Sequence, residues 1–198
     1  MCSILFTNES IENKSFNRLL QLRGPDKTSI TKLHGYNIVH NLLSLTGELT
    51  EQPIEKDGVF VLFNGEIYNY LDINSSALSD SYSILTAYEK FGDEFVKQLN
   101  GEFAIILIDT NKQKIIFSTD VFRTKPLFYS LEEMKIGLST FKTPLTELGF
   151  SNVRMAKANT CYILDLEKES FDTYEIKQFD LNQHKNTYDD WITAFEKS

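Results

Sequence analysis

Six short runs rich in β-branched and aromatic residues, each bounded by turn chemistry, constrain this chain most: Ile4–Thr7, Val59–Phe63, Phe103–Asp109, Lys114–Thr119, Leu127–Tyr129 and Thr160–Leu166. Residues of this kind pack well on a pleated, half-buried surface, so each run predicts a strand. Asp109-Thr110-Asn111-Lys112 between two of them reads as a hairpin turn. Helices are fewer. Asn13–Leu22 is one candidate. A clearer one follows Ser79-Asp80, where Ile84, Tyr88, Phe91 and Phe95 recur at helical spacing and Ser79 or Asp80 would cap the start. The expected class is α+β with antiparallel sheets.

Charge narrows the functional classes. Twenty Lys and Arg against 28 Asp and Glu give a net charge of −8. A polyphosphate partner needs a basic surface, so nucleic acid is not expected. No apolar run approaches the ~18 residues of a membrane span. The N-terminus lacks the basic region of a signal peptide, and cytoplasm is the expected compartment. Two cysteines without a CxxC pair, and only His34, His40 and His184 as imidazoles, argue against a metal site. Cys2 and Cys161 are expected as free thiols.

The C-terminal end carries its own pattern. Thr187-Tyr188-Asp189-Asp190 looks like a helix start, after which Trp191, Ile192 and Phe195 join Tyr188 on one face. Such a face docks back on the same domain or begins a further one. Residues 1–180 are expected to form one domain, and 181–198 a linker and the start of a helix leading to a second domain absent from these residues.

Several residues can carry chemistry. Removal of an initiator methionine makes Cys2 N-terminal. Its thiol then sits beside its own α-amine, a base titrating near ~7.7–8.0, which supplies a nucleophile with no further relay. Asn64-Gly65 directly follows a predicted strand and reads first as a tight turn. The same pair can also present a side-chain amide and a backbone N–H to an oxyanion, with the Glu66 carboxylate next to it. Arg23, in the loop Arg23-Gly24-Pro25-Asp26, can form a surface pair with Asp26 or a fork for a carboxylate. Asp80 can be an acid at a helix start.

Taken in order, these pieces resemble the glutamine amidotransferase domain of glutamine-hydrolysing asparagine synthetases, the class II type with an N-terminal nucleophile. The matching segments are Met1-Cys2-Ser3-Ile4, Arg23-Gly24-Pro25-Asp26, Gln52-Pro53, Asn64 to Tyr70, Ser79-Asp80, Leu99-Asn100-Gly101-Glu102-Phe103-Ala104 and Lys125-Pro126-Leu127-Phe128-Tyr129. The resemblance implies the N-terminal nucleophile hydrolase fold, a four-layer α/β/β/α sandwich of two antiparallel sheets. It implies that Cys2 attacks the glutamine side-chain amide, that Asn64 and Gly65 hold the oxyanion, and that Glu66 and Asp80 bind the α-ammonium. Arg23 and the segment Leu42, Leu43, Ser44, Leu45 and Thr46 would line the substrate pocket. Ammonia would pass to an ATP-using synthetase domain, C-terminal or separate. ATP and magnesium belong to that domain and no cofactor to this one. A homodimer is compatible with the resemblance.

Three departures stand out. The family's His-x-Arg-Leu-Ser run, whose Arg grips the glutamine α-carboxylate, reads His40-Asn41-Leu42-Leu43-Ser44 here. The segment Leu71 to Leu78 is shorter than usual, which would open the pocket mouth. Arg123 stands at a glycine of the Asp-x-x-Gly-x-Lys-Pro-Leu run, and could supply the missing cation. These departures motivate two alternatives to a glutaminase: a degenerate, non-catalytic module, and a stand-alone N-terminal-nucleophile amidase with another amide substrate.

Overall fold

Alternating burial along the strands builds two sheets that share one apolar interior. The computed structural model describes residues 1–12, 17–44, 49–179 and 188–196. The first sheet is ordered β10-β8-β9-β1-β3-β2. These strands are β1 (Ser3–Thr7), β2 (Lys27–Leu33), β3 (Tyr36–Leu42), β8 (Phe128–Glu132), β9 (Lys135–Ser139) and β10 (Arg154–Met155). The second is ordered β12-β11-β7-β6-β5-β4. It contains β4 (Ile54–Lys56), β5 (Val59–Ile67), β6 (Gly101–Asp109), β7 (Lys114–Thr119), β11 (Thr160–Asp165) and β12 (Ser170–Glu175). The paired strands run antiparallel throughout.

Three apolar clusters define the layers. Ile4, Phe6, Ile38 and Leu138 of the first sheet meet Leu62, Ile106, Ile115 and Phe117 of the second between the sheets. On the outer face of the second sheet, Val61, Phe63, Phe103 and Ile105 pack with Ile84, Leu85 and Tyr88 of α3 (Ser81–Phe91). On the outer face of the first, Leu5 and Val39 pack with Leu20 of α1 (Asn17–Gln21) and Leu145 of α4 (Lys142–Glu147). A helix α2 (Tyr70–Ile73) follows β5. The order helix, sheet, sheet, helix is the expected four-layer sandwich.

Several local expectations shift. Of the predicted helix Asn13–Leu22, residues 17–21 are helical and residues 13–16 lie outside the described residues. The predicted stripe Ile84–Phe95 is split, because Gly92 takes a φ of 56° and ends α3. A 3-10 segment, Gly92–Gln98, continues from there and buries Phe95, while Phe91 is exposed. The turn at Asp109–Lys112 forms as expected, with the Asp109 carboxylate accepting the N–H groups of Asn111 and Lys112. Both cysteines are free.

At the C-terminal end α5 (Asp189–Glu196) forms, and none of its residues is buried. Trp191 is 74% exposed. No helix among the described residues is long and apolar enough to cross a membrane.

Candidate active site

Strand alternation decides which side chains share the space between the sheets. On β1, Ile4 and Phe6 face inward, and Cys2 continues that face at the strand's start. On the neighbouring β3, His40 pairs with Ile4 and lies on the same inward face. Its Nε2 is buried without a hydrogen-bond partner. Burial holds the His40 pKa down at about 4, so the imidazole is neutral.

Asn64 and Gly65 are not a turn. They lie inside β5, paired with Ala104 and Phe103 of β6. The turn reading fails because Gly65 adopts a φ of 151° without ending the strand, and because β6 crowds it. A Cβ on Gly65 would lie 2.0 Å from the Glu102 carbonyl oxygen. Neither polar atom of the fully buried Asn64 side chain has a hydrogen-bond partner. Leaving a buried polar group unpaired costs about 1–3 kcal/mol, so such groups are rare and concentrate where a ligand uses them.

A small, open cleft lies at this end of the sandwich. Cys2, Leu42, Leu43, Ser44, Gly65, Glu66 and Asp80 line it. The Cys2 thiol lies 3.4 Å from the Leu43 N–H, which donates to sulfur. Burial pushes the thiol pKa up; the Leu43 N–H and the Arg23 charge act against this. Asp80 occupies the N-cap position of α3 but does not cap it. Its Oδ2 accepts the Ile67 N–H at 3.0 Å instead. Burial, and secondarily the Glu66 charge, raise its pKa to about 6.

Not every expected residue reaches the cleft. Arg23 donates its Nε–H to the Cys2 carbonyl at 2.9 Å, and its guanidinium stacks on Phe141. It braces the Cys2 backbone and does not line the cleft. Nor does it pair with Asp26, whose carboxylate accepts the Ser44 N–H. Arg123 takes the left-handed turn expected of a glycine, at φ 55°, and points its guanidinium at the Ala156 carbonyl. It therefore does not supply a cation to the cleft. Leu45 and Thr46 lie outside the described residues.

Sequence reasoning missed Thr50, Phe63 and Ser81 as lining residues, and did not see why Gln52 and Ser79 matter. The Gln52 side chain accepts the Phe63 N–H at 2.6 Å and so holds the cleft wall. Thr50 donates to Ser79, which shares a hydrogen bond with Ser81. Gln52 and Ser79 lay in quoted motifs, but their partners are distant in sequence. Two other matched segments meet through an ion pair of the buried Lys125 with Glu102, at 2.8 Å.

The cleft is lined by a thiol and two carboxylates, and the unpartnered Asn64 amide is buried next to its Gly65 wall without lining it. Residues 1–179 match the sequence profile of the glutamine amidotransferase domain. The chain belongs to this family. Among relatives of this glutamine amidotransferase domain, asparagine synthetase (glutamine-hydrolyzing) 2 of Oryza sativa is 32% identical over 146 residues, covering 65% of this chain and 25% of the relative. The Bacillus subtilis protein of the same name is 39% identical over 89 residues, 40% of this chain and 12% of the relative. The domain thus spans a quarter or less of the length of these relatives. A solved structure of glutamine phosphoribosylpyrophosphate amidotransferase from B. subtilis superposes with a TM-score of 0.70 at 13% identity, over 90% of this chain and 50% of that one. This supports the amidotransferase fold.

Asn64→Ala is expected to lower kcat for amide hydrolysis about 10²–10³-fold, the usual loss of one oxyanion donor. Thermal stability should hold or rise slightly, because the substitution removes an unpaired buried amide. A stability loss with unchanged kcat would assign Asn64 to the core instead.

Proposed function

We propose that this domain hydrolyses the side-chain amide of L-glutamine to glutamate and ammonia through a thioester on Cys2. The observation that carries the reading is the fully buried, unpartnered Asn64 amide in β5, directly before the cleft-lining Gly65. Once Met1 is removed, the α-amine of Cys2 takes the thiol proton as sulfur adds to the amide carbon. Asn64 and Gly65 stabilise the oxyanion. The amine returns the proton to the leaving nitrogen, the C–N bond breaks and ammonia departs. Water then adds to the thioester with the same amine as base, and the proton returns to sulfur as glutamate leaves. With Met1 attached the Cys2 nitrogen is an amide and cannot act as that base.

Glu66 and Asp80 bind the substrate ammonium. The ammonia serves an ATP-dependent asparagine synthetase-like domain, where ATP and magnesium act. Names of the relatives support this partner, and the exposed apolar face of α5 is compatible with it. The test is glutamate release from L-glutamine by protein whose N-terminus is verified as Cys2 by mass spectrometry. Release supports the reading, and its absence from processed protein overturns it.

Asp80 adds a pH dependence. Its carboxyl is ionised above about 6 and neutral below, so ammonium binding weakens as the pH falls. KM for glutamine is expected to rise about tenfold between pH 7 and pH 5. A KM that stays flat across this range would remove Asp80 from substrate binding.

A further inference from the structure

The cleft around Cys2 carries two carboxylates, Glu66 and Asp80, and no Lys or Arg among the described residues that line it. The cations that approach this end are engaged elsewhere. Arg23 holds the Cys2 carbonyl, Arg123 the Ala156 carbonyl and Lys125 the Glu102 carboxylate. Backbone donors beside Leu42 are committed as well. The Leu43 N–H goes to the Cys2 sulfur and the Ser44 N–H to Asp26. Leu42 itself is buried and presents only methyl groups. What remains on the wall is neutral: the linked hydroxyls of Thr50, Ser79 and Ser81.

Such a wall suits one kind of glutamine. The two carboxylates match a substrate ammonium. A substrate carboxylate would meet no Lys or Arg side chain on the lining, and would sit near two groups of its own sign. Hydroxyls can donate to a neutral carbonyl without any charge to balance.

We propose that the substrate this cleft prefers is a glutamine whose α-ammonium is free and whose α-carboxyl is neutral, as in the N-terminal glutamine of a peptide. Its ammonium lies against Glu66 and Asp80, and its α-carbonyl against the hydroxyl row. Free glutamine is the poorer substrate. The proposal rests on the glutaminase reading above: the C–N bond of the side-chain amide breaks, ammonia leaves and water replaces it, while the α-acyl group takes no part.

The test compares kcat/KM for L-glutamine and L-glutamine α-tert-butyl ester on processed protein. The glutamyl product is identified by mass spectrometry, and Cys2→Ala corrects for spontaneous cyclisation. The ester is expected to be favoured about tenfold or more, the worth of one uncompensated charge contact. Its N-acetyl derivative, which lacks the ammonium, should not be turned over. Leu42→Arg should reverse the preference. Because that buried variant can fail to fold, the wild-type ratio decides by itself. Wild-type protein that hydrolyses glutamine as well as or better than the ester overturns this proposal and leaves the glutaminase reading standing. Processed protein that hydrolyses neither overturns both.

Discussion

Glutamate release from L-glutamine is expected to fall to background when Cys2 is replaced by alanine. The thiol is the only nucleophile proposed at the cleft, and the α-amine beside it acts only as its base. Losing a covalent nucleophile costs about 10⁴-fold or more in kcat. The fold should survive, since the side chain is small and its contacts are two weak ones with Leu43, at 3.4 and 3.7 Å. Circular dichroism and thermal melting of the variant are therefore expected to match the wild type within about 1 kcal/mol. Cys2→Ser tests the chemistry further. A hydroxyl is a far poorer nucleophile than a thiol beside the same amine, so activity should remain near background. Glutaminase activity that persists in Cys2→Ala would rule out the thioester route.

Gly65→Ala is expected to have the largest effect on stability. An added Cβ would stand 2.0 Å from the Glu102 carbonyl oxygen and 2.7 Å from the Phe103 Cα. Both are backbone atoms of the neighbouring β6, so no rotamer change relieves the clash. The φ of 151° adds strain of about 1–3 kcal/mol for any residue with a side chain. Separating β5 from β6 would also disturb the pairs that flank it, Asn64 with Ala104 and Glu66 with Glu102. A loss of about 4 kcal/mol or more is expected, enough to unfold many domains of this size. Denaturant unfolding checks it. A stable Gly65→Ala protein lacking activity would mean that the strand moves aside, and that the glycine is kept for the oxyanion alone.

These two predictions draw on different kinds of information. Cys2, Glu66 and Asp80 were legible as cleft residues, Cys2 from its second position and the two carboxylates from their place in ordered segments. The local chemistry of Asn-Gly pointed to a turn, and pairing with β6 overrode it. A strand with no fully buried residue was missed in the same way. In β2, Lys27–Leu33, half-buried polar residues owe their conformation to the ladder with β3. Arg123 kept the glycine-like turn because its backbone is held there, its N–H donating to the Asp120 carbonyl. Its charge thus went to Ala156, away from the cleft.

By itself the sequence determined the strand-rich α+β class, the cysteine at position 2 and the absence of an arginine at position 42. These depend on residue type and short-range order. Tertiary structure alone decided that Asn64 is left without a partner between two sheets, that Asp80 turns from its helix to the Ile67 N–H, and that Arg23 braces Cys2 without entering the cleft. Each of these outcomes depends on which groups come within hydrogen-bonding reach across strands far apart in sequence. Pairing register and sheet stacking set that reach.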